Sequence, residues 1–368
     1  MVTRRKFLLA GGAAATVPLI AVACGSDKHR ATYDETAVAT WDRPDRAGSS
    51  VAALQRELVR YATLAPSSHN TQCWKFARER GGITILPDFS RRLPVVDPDD
   101  HHVFVSLGCA AENLIQAAIA HGLAGEAAVA DVDGGSIGIA LTPTAAVASP
   151  LFQSIPHRQS TRRAFDGTPL SGEELRLLER AGTGAGARVL LLTGRPVIEA
   201  VLEYVVAGNT AQMGDPAFVR ELKQWIRFSE AEAVDKADGL FSRASGNQAV
   251  PRWFGSLVFP VVFKVATEND KYATLVRSSA GIAVFVSDAN DKPHWVETGR
   301  CYERFALQAT ALGIRNSFVN QAVESPAPRS QLANYLGLHH LRPDLVVRFG
   351  RGPTMPRSLR RPVDAVLI

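Results

Sequence analysis

Val51, Leu54, Leu58 and Tyr61 recur at helical spacing behind Ser49 and Ser50, either of which can cap the helix they predict. Trp74-Lys-Phe76 alternates as a strand does, Gly81-Gly82 turns the chain, and Ile83 to Leu86 supplies a hairpin partner. Val105 to Gly122 is apolar on nearly every side, the pattern of a helix buried all round. Further on, Ser171 and Glu174 form a capping box ahead of an amphipathic run to Ala181. Ile282 to Val286 reads as a strand, and Gly299 to Ile314 as a second long helix.

The two long helices align at one offset of 191 residues. Gly108/Gly299, Glu112/Glu303, Ala118/Ala309, Ala120/Ala311 and Gly122/Gly313 are identical pairs. Two alanine-rich helices can agree by chance, but each is preceded by a strand-like run, and each copy opens with a helix. The pattern predicts two copies of one α+β unit, over residues 51–150 and 151–368. Residues 200–260 have no counterpart in the first copy. They carry scattered aromatic residues (Trp225, Phe228, Phe241, Trp253, Phe254) and read as an insertion, either a lid or a packing extension.

The first 23 residues differ from the rest. Arg4, Arg5 and Lys6 precede a mildly apolar run broken by Gly11, Gly12 and Pro18, too weak for a spanning helix of ~20 strongly apolar residues. Thr3-Arg-Arg-Lys-Phe-Leu-Leu9 resembles a twin-arginine export signal. Ala21-Val-Ala-Cys24 resembles a lipoprotein cleavage site, which implies Cys24 as the acylated residue of a protein held at the outer face of the cytoplasmic membrane. Residues 24–50 are polar and mixed in charge, and read as a tether.

Charge and cysteine content narrow the partners. The net charge is +5, and without the three cations of the first 23 residues it is +2, too weak to argue for nucleic acid. Cys24, Cys73, Cys109 and Cys301 show no metal or thiol-redox spacing, and Cys109 and Cys301 fall in apolar helical patterns as core residues. Asp97-Pro-Asp-Asp-His-His102 has the residue types of a metal site and equally those of a helix entry. No dinucleotide-binding glycine loop follows a strand in the sequence.

Between the first helix and first strand lies Ala65-Pro-Ser-Ser-His-Asn-Thr-Gln72. Pro66 stops the helix, and the serine and asparagine side chains shape the turn. By turn chemistry alone this is an ordinary helix-to-strand connection. With Trp74 behind it, the string resembles the flavin-facing loop of the FMN-dependent nitroreductase family, in particular its duplicated single-chain branch. Cys73 stands where that family usually has proline. The resemblance implies an α+β nitroreductase-like fold with a mostly antiparallel sheet flanked by helices, duplicated so that one chain acts as a monomeric pseudo-dimer.

It further implies that Pro66, Ser67, Ser68 and Asn70 line the isoalloxazine ring. Arg158-x-Ser160-x-Arg162, just before the second copy's first helix, resembles the family's flavin-phosphate motif. The first copy has only Arg43-Pro-Asp-Arg46 there, and the second copy has Gly182-Thr-Gly-Ala-Gly-Ala187 in place of the loop, so one composite site is expected. Arg360, with Arg351 second, is expected on the phosphate. The backbone near Asn320 and Gln321, where the family usually has a Glu-Gly pair, is expected at flavin N5. No side chain is assigned as acid or base, because the flavin carries the redox chemistry. The implied activity is two-electron ping-pong reduction of a small nitroaromatic, quinone or similar acceptor. NAD(P)H or a membrane quinol would be the donor. The other reading is a flavin-sequestering protein with an occluded site.

Overall fold

The computed structural model describes residues 26–42, 48, 50–130 and 134–368. The twin-arginine stretch, Cys24, Arg43 and Arg46 lie outside the described residues. In chain order the helices are α1 (Ser26–Trp41), α2 (Val51–Thr63), α3 (His101–Ala120), α4 (Pro150–Ser154), α5 (Gly172–Ala181), α6 (Arg195–Gly214), α7 (Pro216–Trp225), α8 (Glu230–Lys236), α9 (Arg252–Val262), α10 (Val265–Arg277), α11 (Lys292–Ala311), α12 (Gln321–Glu324) and α13 (Pro326–Tyr335). The strands are β1 (Trp74–Glu79), β2 (Gly82–Pro87), β3 (Leu123–Ala130), β4 (Ser136–Pro143), β5 (Ala187–Leu192), β6 (Ile226–Arg227), β7 (Leu240–Phe241), β8 (Gly281–Ser287), β9 (Arg315–Phe318) and β10 (Arg342–Gly350). The expected caps form: Ser50 accepts from the Ala53 amide, and Ser171 with Glu174 closes a capping box.

Two four-stranded antiparallel sheets carry the duplication. Their orders are β1-β2-β4-β3 and β5-β8-β10-β9. Matching the elements in chain order, with α3 against α11, makes these one topology written twice. The architecture is therefore α+β, with antiparallel sheets flanked by helices and internally duplicated. Val366 accepts from the Phe76 amide at 2.8 Å and Phe76 accepts from the Ile368 amide at 3.0 Å, so the carboxyl end of the second copy lies along the edge of the first copy's sheet.

Helices α3 and α11 meet at the centre. A Cβ added to Gly108 would lie 2.1 Å from the Val296 carbonyl oxygen, and one added to Gly299 would lie 2.0 Å from that of Val105. These two contacts are related by the same 191-residue offset that aligns the sequences. Residue i meets j while the equivalent of i meets the equivalent of j, as at a two-fold dimer interface. Glycine is required at both places because the backbones touch. Around this crossing Trp74, Phe76, Leu107, Tyr302 and Phe305 are fully buried. Truncating one such aromatic to alanine would cost roughly 3–5 kcal/mol. Cys109 and Cys301 are buried here as core residues.

The long helices begin earlier than predicted, at His101 and Lys292, and two whole segments also differ from what the sequence predicts. The segment expected as a tether is helical from Ser26 to Trp41, and Tyr33 and Trp41 are buried. Tyr33 packs on Phe241 at 4.8 Å between ring centroids, and Trp41 donates its indole N–H to Ser358 O at 2.9 Å. Two aromatic side chains spaced eight apart drive this docking, whereas the polar composition between them hides it. The insertion is also longer than 200–260. In the first copy the β1–β2 connection is a tight turn, and in the second everything from 193 to 280 stands between β5 and β8.

Candidate functional site

The 66–72 loop is held in an uncommon conformation. His69, Asn70 and Gln72 have φ of 49°, 53° and 54°, values that non-glycine residues keep only when surroundings enforce them. The enforcing contacts come from the insertion and the carboxyl-terminal tail. Asn70 Nδ2 donates to Gly239 O at 3.1 Å and Leu359 O at 3.2 Å. Gln72 Nε2 donates to Ala237 O at 2.8 Å, and its Oε1 accepts from the Arg361 amide at 2.8 Å. Within the loop, Ser67 Oγ accepts from the Gln72 amide at 2.9 Å.

This clamped loop forms a wall between two cavities. The larger, about 300 Å³, lies between the two copies and under the insertion. Pro66, Ser67, Ser68 and His69 line it from the first copy, with His102 and Ser106 from α3. Arg162, Asn320 and Gln321 line it from the second copy, and Phe259, Phe263, Lys271 and Tyr272 from the insertion. The volume sits at the low end of the ~300–1,000 Å³ range of small-molecule sites. The smaller, about 50 Å³, adjoins it through the shared residues Pro66, Ser67 and Arg162. It is lined by Arg158, Ser160, Arg357, Arg360, Asn70 and Trp41 among others, with no acidic side chain among the described residues that line it.

The guanidinium groups of the small cavity differ in how far they are already neutralised. Arg158 Nε lies 3.1 Å from Glu303 Oε1, and its NH2 donates to Leu64 O at 2.9 Å. Arg357 pairs with Asp42 at 2.6 Å. Arg360 has no carboxylate among the described residues. It donates to Thr63 O at 2.8 Å, Leu64 O at 3.2 Å, Ala65 O at 3.1 Å and Asn70 Oδ1 at 2.9 Å, which ties the end of α2 and the loop to the tail. Burial pulls it down to about 9, helped by neighbouring Arg158. Arg162 likewise has no carboxylate partner among the described residues. Its guanidinium makes one bond among them, a long 3.4 Å donation to Ala244 O, and burial lowers its pKa. Arg360 is thus a buried cation whose donors are taken by carbonyl and amide oxygens, with Glu303 acting on it at longer range, while Arg162 is left as a buried cation with no carboxylate among the described residues.

Of the residues singled out in the sequence, Pro66, Ser67 and Ser68 line the large cavity, and Arg158, Ser160, Asn70 and Arg360 the small one, with Arg162 facing both. Asn70 is therefore a clamp beside the small cavity, not a wall of the large one as expected. Arg351 does not join them. It donates to Glu174 Oε1 at 2.5 Å and Leu312 O at 3.3 Å, and stands away from both cavities as a cap for α5. Asn320 Oδ1 accepts from the Val346 amide at 2.9 Å, and Gln321 Nε2 donates to the Tyr272 hydroxyl at 2.5 Å.

Several groups at the site have no simple sequence signal. Neither ring nitrogen of His102 nor Nδ1 of His69 has a hydrogen-bond partner among the described residues, and both histidines face the large cavity. Burial pulls His69 down to about 4, with Arg162 and His102 adding to it, and burial also lowers His102. Glu324, held at 2.6 Å by Gln212 Nε2, is raised by burial. Asp97, His101 and His102 offer ligand atoms within 4.8 Å of one another. Asp97, however, accepts from the His102 and Val103 amides at 3.0 and 3.1 Å, the helix-entry role that the motif allowed.

In the other copy the connection at the loop's pseudo-equivalent position is closely packed. A Cβ on Gly184 would fall 2.1 Å from Glu297 Oε1 and 2.9 Å from Cys301 Sγ. Arg304 bridges Glu112 at 2.9 Å and Glu297 at 3.0 Å beside it. The glycine-rich connection lets the chain pack closely on this ion network.

No protein-family profile matches the chain. Two proteins of Mycobacterium tuberculosis, from strains CDC 1551 / Oshkosh and H37Rv, are each 24% identical to it over 334 residues, covering 86% of this chain and 91% of theirs. Both carry names that assign them provisionally as NAD(P)H nitroreductases. Among solved structures, the FMN-dependent nitroreductase NfnB of Mycobacterium smegmatis, in complex with NADPH, aligns at 16% identity over 59% of this chain and 96% of its own, with a TM-score of 0.39. A nitroreductase with bound FMN from Desulfitobacterium hafniense aligns at 15% identity over 59% and 95%, with a TM-score of 0.38. Along most of its length, across both copies, this chain is similar in sequence to proteins named as mycobacterial NAD(P)H nitroreductases.

Proposed function

We propose that the protein is an FMN-binding oxidoreductase of nitroreductase type and fold, with one site per chain. The observation that carries this reading is the pair of joined cavities. Three segments that the family resemblance assigns to one flavin, around residues 66–70, 158–162 and 320–321, converge there from distant parts of the chain. The small cavity, with no acidic side chain among its described lining, would take a phosphate dianion, with Arg162 as the cation left unpaired among the described residues, Arg360 as a buried positive charge behind it and Ser160 as a neutral donor. The large cavity suits the ring, whose bound form would supply the two-electron transfer chemistry. Asn320 and Gln321 line the same cavity and would offer backbone groups to the ring, and His102 and Glu324 are the buried groups that could hold a proton near an acceptor.

The reaction follows as a ping-pong exchange, in which a donor and then a nitroaromatic, quinone or similar acceptor use the same cavity in turn. NAD(P)H is the donor that the relatives' names suggest. The export-type amino terminus and Cys24 would instead put the chain at the outer membrane face, where a quinol would have to serve. A second reading, flavin sequestration with little turnover, is favoured by the insertion: Phe259, Phe263 and Tyr272 roof the cavity. The purified protein should be yellow. Anaerobic mixing with NADPH should bleach its flavin band within seconds if it is an NADPH-dependent enzyme; persistent colour with NADPH and with a reduced quinone supports sequestration. A colourless protein that takes up no FMN removes the proposal.

A further inference from the structure

We propose that α9 is an interfacial helix that seats the insertion on an anionic lipid bilayer. Its two faces differ. Gly255 and Phe259 are buried, with Phe259 edge-on to Phe228 at 6.3 Å. On the other face Trp253 is 71% exposed, Leu257 68% and Val261 66%, all at positions that share one side of a helix, and Val262 and Phe254 extend the patch. Large apolar side chains massed on one exposed face mark a contact surface, unlike the single exposed residues of any protein surface.

The chemistry around the patch selects a membrane as its occupant. From Gly239 to Thr267 the chain contains no aspartate or glutamate, while Arg243, Arg252 and Lys264 are basic. Arg252 opens α9 and stays 64% exposed while paired with Glu232. Lys264 follows the last helical residue and has no ion pair among the described residues. Lys223 reaches in from α7 to donate to Ser256 O at 3.1 Å. An apolar face carrying tryptophan and leucine, with cations at both ends, is the composition of helices that lie in the plane of a bilayer with anionic headgroups. A protein partner of matching acidity is not required by it, since the centre of the patch is wholly apolar. The first described helix is near: α1 packs against α8, and Glu232 of α8 holds Arg252. The inward face of α9 contributes Phe259 to the roof of the large cavity. One helix thus separates that cavity from the surface proposed to meet lipid, which suits an electron carrier dissolved in the bilayer. The docking itself does not depend on the cofactor reading.

The test uses the chain from Gly25 onward, which keeps every element described above and cannot be acylated at Cys24. It is floated with phosphatidylglycerol-rich vesicles and, separately, with pure phosphatidylcholine vesicles, while sedimentation equilibrium reports its oligomeric state. Preferential flotation with the anionic vesicles is expected, with a tenfold or greater loss in the exposed double variant Leu257→Ser/Val261→Ser and a smaller, salt-sensitive loss in Lys264→Glu. Unchanged thermal melts in these variants keep the comparison on the surface. Equal flotation of wild type and double variant overturns the proposal, as does no flotation at all. A wild-type dimer that the double variant dissociates also overturns it, because the patch is then a contact between copies.

Discussion

Replacing Arg162 by methionine should move ligand affinity and apo-protein stability in opposite directions. Among the described residues, Arg162 stands between the two cavities with no carboxylate partner and a single side-chain hydrogen bond of 3.4 Å, to Ala244 O. In the absence of an anion it is a desolvated charge whose pKa burial has lowered. Methionine keeps most of the volume and removes that charge, so the apo-protein should gain on the order of 1 kcal/mol. With FMN, the lost bond to a charged group is worth about 1.5–3 kcal/mol. At 1.4 kcal/mol per factor of ten, this is roughly a 10- to 150-fold rise in Kd. Flavin fluorescence quenching on titration into apo-protein reads the first quantity, and urea denaturation without flavin reads the second. Arg158→Met is the control. It strands buried Glu303, which burial already pushes up to about 7, so it should destabilise the apo-protein by about 3 kcal/mol at pH 8. If Arg162→Met binds FMN as the wild type does, or if it destabilises the apo-protein as Arg158→Met should, the anion-site argument is wrong.

The helix crossing gives a second prediction. Gly108→Ala and Gly299→Ala should each cost at least about 1–3 kcal/mol in denaturant titrations, and the double variant less than their sum, since one separation of α3 from α11 relieves both clashes. Tyr33→Ala should cost about 3–4 kcal/mol and loosen α1 and α8 in hydrogen exchange, because its ring is buried on Phe241; no loss of protection would return residues 26–41 to a tether. His69 sets a pH dependence. Its unfolded form takes a proton below about 6.5, whereas the folded form resists until about 4, so stability falls as pH drops through that window. His69→Asn should flatten the stability profile between those values, and an unaltered slope would show that His69 is freely protonated in the folded state.

The repeat, the two long helices, the caps of α2 and α5 and the α+β class were legible in the sequence because each rests on local periodicity, on capping residues or on residue identity at a fixed offset. The loop and the Arg158–Arg162 motif were legible as strings, through family resemblance. What the linear order could not supply was which guanidinium groups remain free. Arg158, Arg351 and Arg360 look alike as residues in basic runs. Only the fold gives Arg158 to Glu303, Arg351 to Glu174 and Arg360 to the carbonyls ending α2, and leaves Arg162 without a carboxylate over the cavities. Asn70 changed role for the same reason, since its amide is consumed by Gly239 and Leu359, far away in sequence. Residues 26–41 escaped because two aromatic anchors suffice to dock a helix whose own composition is polar. Secondary structure answers to neighbours a few residues apart, whereas charge compensation and burial are set by groups that meet only when the chain has folded.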